Sequence, residues 1–160
     1  MARRAPRGQR PPVRALLQRA SGARVLVDGD VVGEIETGLV ILLGVAPADT
    51  QATADALARK AAELRIFRDD DGRTNRSLLE VGGQALVVSQ FTLYADTRGG
   101  RRPGFTNAAP PEQAERLYEQ FVAALKALEI HAATGRFGAE MAVELTNDGP
   151  FTIWLDSDDS

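Results

Sequence analysis

Leu39-Val40-Ile41-Leu42-Leu43-Gly44-Val45 decides the architecture. The run is short, unbroken by polar residues and rich in branched side chains, which suits a strand covered on both faces and is too short for a helix. A strand so covered needs other layers above and below it. Upstream, Val13 to Ala20 reads as a strand, and Ala23 to Val27 alternates before the turn pair Asp28-Gly29, from which Val31 to Ile35 returns. Downstream, Asp49 is placed to cap a helix running to about Arg65. Its Ala54, Leu57, Ala58, Ala61 and Leu64 recur at helical spacing on one face. The DDDG segment at 69–72 forces a turn.

A second apolar strand, residues 84–88 (QALVV), runs straight into Ser89-Gln90-Phe91-Thr92-Leu93. An irregular stretch, 95–110, follows, and Pro110-Pro111 open a second helix with Ala114, Leu117, Phe121, Leu125 and Leu128 as its core face. Strands are expected near 130–134, at 139–146 and at 151–155, the last two joined by Asn147-Asp148-Gly149-Pro150. Strands grouped with two helices, and not alternating strictly with them, give an α+β class. The expected architecture is a single domain of mixed or antiparallel, barrel-like sheet with two main helices packed on one side.

The chain has 160 residues, 44% apolar and 26% charged, with a formal net charge of −3. This is ordinary globular composition and excludes wholesale disorder, collagen-like repeats and a coiled coil. No run approaches the ~20 apolar residues of a membrane span. No secretory pattern opens the chain, so a cytoplasmic location is expected. Residues 1–12 (MARRAPRGQRPP) hold four Arg and no acid and read as a disordered, dispensable basic tail, with 158–160 as an acidic C-terminal tail and 13–157 as the domain. The rest of the chain carries 15 basic against 22 acidic groups. That balance argues against broad nucleic-acid wrapping, though not against gripping a single-stranded end through a local basic patch. The absence of cysteine and the single histidine, His131, exclude thiolate zinc sites, most multi-histidine metal sites and a cysteine nucleophile.

Chemistry must therefore come from a short list. Ser89, Gln90 and Thr92 cluster where a strand ends and its backbone groups become available to a ligand; the plain alternative is a polar strand terminus. Arg98, Arg101 and Arg102 make a cationic loop whose guanidinium groups suit phosphate, or else a solvated loop. His131 has no acidic orienter nearby and reads as structural or surface histidine. Asp148-Gly149 reads as a hairpin turn, but Pro150 cannot donate to a ladder, and a cis bond there would project two successive carbonyls the same way as a wall of acceptors.

Ser89-Gln90-Phe91-Thr92-Leu93-Tyr94-Ala95-Asp96, followed by Asn147-Asp148-Gly149-Pro150-x-Thr152, resembles the signature pair of the D-aminoacyl-tRNA deacylases. The resemblance extends over nearly all of 13–157, through VRALLQRA, VDGDVVGEI, LRIFRDDDGR, RRPGFTNAAPP and TGRFGAEM. Val13 stands where that family begins with Met, and the basic tail lies outside its pattern. The resemblance implies a homodimeric enzyme that needs no cofactor. It would hydrolyse the ester joining a D-amino acid, or glycine, to the 3′-terminal adenosine of tRNA.

Further, the resemblance implies that Gly149 and Pro150, joined by a cis bond and flanked by Asn147 and Thr152, reach into the partner's pocket. There they would hold the substrate's α-ammonium and leave no room for an L side chain. An aminoacyl ester beside a cationic amine is already activated, so orientation and fixed oxyanion donors are the main requirements. The backbone amides near Phe91 and Thr92 are the candidate donors, with Ser89, Gln90 and Thr92 positioning the substrate; Thr92 as a covalent nucleophile is the alternative. Arg98, Arg101 and Arg102 would meet the tRNA phosphates. Two rivals stay open: a paralogue with a trans Gly-Pro bond that clears a small L-amino acid, and a non-catalytic module that only binds the tRNA end.

Overall fold

The computed structural model describes residues 13–156; the two expected tails lie outside the described residues. Its longest element, β1 (Arg14–Val27), runs unbroken through Ser21-Gly22 and organises the sheet. β2 (Asp30–Ile35) pairs antiparallel with the C-terminal part of β1 and β3 (Gly38–Gly44) with its N-terminal part. The next elements are α1 (Gln51–Glu63), the short β4 (Phe67–Arg68) and β5 (Thr74–Arg76), α2 (Leu78–Val81) and β6 (Gln84–Ser89). β6 lies parallel to β3, and after α3 (Pro111–Ala127), β7 (Ala132–Thr134) lies parallel to β6. β8 (Ala142–Asp156) follows the other edge of β1, so the order is β2-β1-β3-β6-β7 with β8 beside β1.

The sheet curls until β2 approaches β7, giving the nearly closed, barrel-like mixed sheet. Gly33 permits the closure, because a Cβ there would stand 2.1 Å from the Thr134 carbonyl oxygen. The Leu39–Val45 run is covered on both faces as expected. Leu39, Ile41 and Leu43 meet Leu57, Ala58, Leu117, Phe121 and Leu125 of the two main helices, whereas Val40 points into the barrel with Val25, Ile35, Leu86 and Val88.

Three local readings need correction. Asp49 does not cap α1: Thr50 does, in a reciprocal box with Thr53. Asp49 is buried and accepts from the amides of Val13 (2.8 Å) and Ala46 (2.7 Å), two donors at strand ends that have lost water. The small β4–β5 hairpin and α2 carry no strong periodicity and went unanticipated, although the 69–72 turn itself is present, its Asp69 accepting from the amides of Asp71 and Arg73.

The third correction is the hairpin expected at Asn147–Pro150. The expected strands 139–146 and 151–155 are a single strand, β8, because β1 presents an uninterrupted edge for both halves to pair along. Gln18 opposes Thr152 and Ala20 opposes Asn147, so residues 148–151 bulge out opposite Arg19. The Gly149–Pro150 peptide bond within this bulge is cis.

Candidate active site

β6 ends at Ser89 beside Leu43 of β3, and the Gln90 amide still donates to the Leu43 carbonyl at 2.7 Å. The chain then leaves the sheet and turns tightly through Phe91–Tyr94 as one 3-10 turn. Tyr94 is buried beneath it. Arg14 braces it from β1, stacking 4.6 Å over the Tyr94 ring and donating Nη1 to the Leu93 carbonyl at 3.0 Å. Hydrogen bonding in the turn starts with the Leu93 amide, which donates to the Gln90 carbonyl at 3.3 Å. The Phe91 and Thr92 amides precede it and find no acceptor within the turn, the usual state of the first donors of a helical segment. Gln90 donates its Nε2 to the Thr92 hydroxyl. An amide donor cannot remove a proton, so this contact orients Thr92 and does not activate it.

Ser89, Gln90 and Phe91 form one wall of a cavity of about 580 Å³. Leu43, Val45 and Val88 floor it, Ala108, Ala109 and Ala114 close one side, and Phe137, Met141 and Val143 the other. The cavity is mostly apolar, with the few polar groups gathered at the strand end, the usual layout of a small-molecule pocket. Phe137, Gly138 and Met141 escaped residue-level reading, their only signal being the glycine-punctuated TGRFGAEM segment. His131 is exposed and does not line this cavity.

Asn147, Gly149, Pro150 and Thr152 form a separate group on β8, and none of the four lines the cavity of their own chain. Arg19, only 4% exposed, organises that group. Its Nε donates to the Asp148 carbonyl (3.0 Å), its Nη1 to the Ile66 carbonyl (2.7 Å), and its guanidinium lies 4.5 Å from the Phe151 ring centre. Burial pulls the Arg19 pKa down, opposed by the Asp148 carboxylate. Arg68, bonded to Asp148 at 2.9 Å, holds that carboxyl below its usual range, with Arg19 adding to the effect. Asn147 accepts from the Phe151 amide (2.8 Å) and donates to the Thr152 hydroxyl (3.1 Å), which closes the bulge. Gly149 and Pro150 stand exposed at its crest.

In the cationic loop the three arginines differ. Arg98 is held by Asp96 through Nε (3.0 Å) and Nη2 (3.1 Å), and those bonds draw the Asp96 pKa down to about 2. Arg101 and Arg102 are exposed and meet no carboxylate among the described residues.

An apolar pocket walled by a strand-end turn, on a nearly closed mixed sheet, has the layout of a site for a small molecule or the end of a larger one. The family model for D-Tyr-tRNA(Tyr) deacylase matches residues 16–156. The D-aminoacyl-tRNA deacylase of Roseiflexus castenholzii is 62% identical over 145 residues, covering 91% of this chain and 92% of its own. That of Ruegeria pomeroyi is 59% identical over 144 residues, covering 90% of this chain and 99% of its own. Among solved structures, the c-Myc DNA Unwinding Element Binding Protein superposes with a TM-score of 0.84 at 38% identity, over 89% of this chain and 97% of its own. A probable eukaryotic D-amino acid tRNA deacylase superposes at 0.81 with 16% identity, covering 91% of this chain and 100% of its own, and shows the shared fold. The chain belongs to the D-Tyr-tRNA(Tyr) deacylase family, as its motifs imply, and is an enzyme of that family, a hydrolase acting on carboxylic esters.

Proposed function

We propose that the protein hydrolyses the ester of D-aminoacyl-tRNA, and of glycyl-tRNA, releasing the amino acid and intact tRNA while sparing L-aminoacyl esters. The observation that carries this reading is the Phe91–Tyr94 turn at the end of β6, whose Phe91 lines the cavity of about 580 Å³ and whose first two amides, of Phe91 and Thr92, have no acceptor within the turn. The terminal adenosine and its ester would enter that cavity, and the two amides would take the carbonyl oxygen as it gains charge. Ser89, Gln90 and Thr92 position the ester. Water, with the neighbouring 2′-hydroxyl of the adenosine taking part in its positioning, attacks the carbonyl carbon; the ester bond to the 3′-oxygen breaks, the amino acid leaves with the water's oxygen, and the 3′-oxygen takes up the proton the water loses.

Chirality is assigned to Gly149 and Pro150 acting from a partner subunit in a homodimer. Two observations favour this arrangement. The pair lines no part of its own chain's cavity yet stands exposed on a bulge pinned by Arg19. Among the described residues β8 pairs with β1 alone and has no fully buried side chain, and a long unpaired edge of this kind invites a second copy. In the partner's cavity the two carbonyls would hold the α-ammonium and block the position of an L side chain, a built-in clash that tolerates many D side chains. Asn147 and Thr152 keep the bulge closed, and Arg98, Arg101 and Arg102 meet the phosphates. The protein works in the cytoplasm without metal or cofactor, and residues 1–12 are dispensable. No helix among the described residues is long and apolar enough to cross a membrane.

Deacylation of matched D- and L-tyrosyl-tRNA, with and without a chelator, tests the reading. Release of D-tyrosine alone, unaffected by chelator, supports it. Equal rates on the two enantiomers refute it, as does abolition by chelator, and binding without turnover would favour the tRNA-end binding module.

A further inference from the structure

Two large apolar side chains are exposed beside the cavity, Phe91 at 55% and Phe105 at 37%. Their rings meet edge to face, with centroids 5.0 Å apart and planes at 75°, an arrangement that leaves ring faces open to a third flat group. Phe91 lines the cavity itself. Phe105 reaches its rim through its carbonyl, which accepts from the amide of cavity-lining Ala108 at 3.1 Å. The loop that carries Phe105 is already ordered. Asp96 and Gly104 exchange backbone bonds of 2.7 and 2.8 Å, Asp96 holds Arg98, and the Ala109 amide ties the loop's far end to the Val45 carbonyl at 2.9 Å. Arg101 and Arg102, without carboxylate partners among the described residues, lie in the same loop.

Exposed aromatic faces next to unpaired guanidinium groups are what single-stranded nucleic acid requires: bases stack on the rings and the cations follow the backbone. A protein surface would use the rings but would leave two unpaired arginines unexplained. We propose that Phe105, supported by Phe91, is a stacking platform for the unpaired nucleotide immediately 5′ of the terminal adenosine, with Arg101 and Arg102 on its phosphates. This rests on the tRNA-end reading above and extends it to the substrate's upstream nucleotides. It also predicts that a longer substrate binds more tightly than an isolated adenosine ester, by about 5- to 150-fold for one stacked base.

The test compares wild-type protein with Phe105→Ala, Phe105→Leu and Phe105→Tyr on two substrates, D-tyrosyl-tRNA and the D-tyrosyl ester of adenosine. The expected result is a rise of at least about fivefold in KM for the tRNA in the Ala and Leu variants, little change in kcat, and no comparable loss on the adenosine ester. Tyr, which keeps the ring face, should restore the tRNA KM. An unacylated oligonucleotide ending in CCA, with 2-aminopurine replacing the nucleotide before the adenosine, should be quenched on binding wild type and not on binding Phe105→Leu. Equal losses on both substrates overturn the proposal and make Phe105 a wall of the pocket. Loss of self-association in the Leu variant, measured by sedimentation, overturns it in favour of a contact between copies. Absence of hydrolysis by wild type would sink the deacylase reading instead, and the 2-aminopurine signal would still decide the platform.

Discussion

Removing the Arg19 guanidinium is the perturbation whose consequences the structure defines most fully. Arg19→Met keeps much of the aliphatic stem, so packing changes less than hydrogen bonding does. Two carbonyls, of Asp148 and Ile66, lose donors at 3.0 and 2.7 Å, and the contact with Phe151 is lost. Hydrogen bonds from a charged donor contribute about 1.5–3 kcal/mol each, and a buried acceptor left bare costs about 1–3 kcal/mol. Asp148 is partly exposed, so water can replace its donor; the Ile66 carbonyl is bonded at the buried end of the guanidinium and has less recourse. A net loss of about 2–4 kcal/mol follows, which for a chain of this length lowers Tm by roughly 4–16 °C. Urea unfolding followed by circular dichroism measures it. Because Arg19 also pins the bulge that presents Gly149 and Pro150, D-tyrosyl-tRNA hydrolysis should fall and the D/L ratio should shrink even at temperatures where the variant is fully folded. Arg19→Lys, a single cationic point on a flexible stem, should recover only part of both losses. A stability change below about 0.5 kcal/mol with unaltered D/L ratio would show that Arg19 neither holds the bulge nor supports the fold.

Other substitutions probe separate parts of the site. Tyr118 of α3 donates to the carbonyl of Val87 on β6 at 2.7 Å, and burial pushes its pKa from 10.0 up to about 12. The folded state therefore keeps a proton that the unfolded chain loses first, so this contribution is whole below pH 10 and disappears as pH rises from 10 through about 12; Tyr118→Phe should flatten that alkaline loss in urea titrations, and an unchanged profile would contradict it. Gly149→Ala should abolish D-selective hydrolysis and destabilise the fold by about 1–3 kcal/mol, because the residue sits at φ +146 and a Cβ would meet the Phe151 amide nitrogen at 2.9 Å and Arg19 Nη2 at 3.2 Å. A stable, selective Gly149→Ala enzyme would remove the bulge from the mechanism. Replacing Arg101 and Arg102 with Ala should weaken tRNA binding alike for every aminoacyl group and reduce the salt slope by roughly 0.7 per lost contact; a shift in D/L ratio at constant slope would count against phosphate contact.

What the sequence by itself determined is what rests on periodicity and on neighbours in the chain. The doubly covered β3 run, the apolar faces of α1 and α3, the strand ending at Ser89 and the turn at 69–72 all follow from contacts within a few residues, so composition and spacing suffice. Tertiary structure alone decided the path through Asn147–Pro150. Locally those residues favour a hairpin, and they remain in one strand because β1, more than a hundred residues away in sequence, offers an unbroken edge and Arg19 supplies donors to the bulge. Asp49 departs from its expected capping role for the same reason: its carboxylate has a helix start beside it but meets the Val13 amide from 36 residues away. The cavity likewise depends on segments distant in sequence, Ser89–Phe91 and residues from Phe137 to Val143, lining one space that neither can specify alone. Local preferences are worth about 1 kcal/mol per residue or less, whereas a buried carbonyl left without its donor costs about as much or more, so where the two conflict the distant partner prevails.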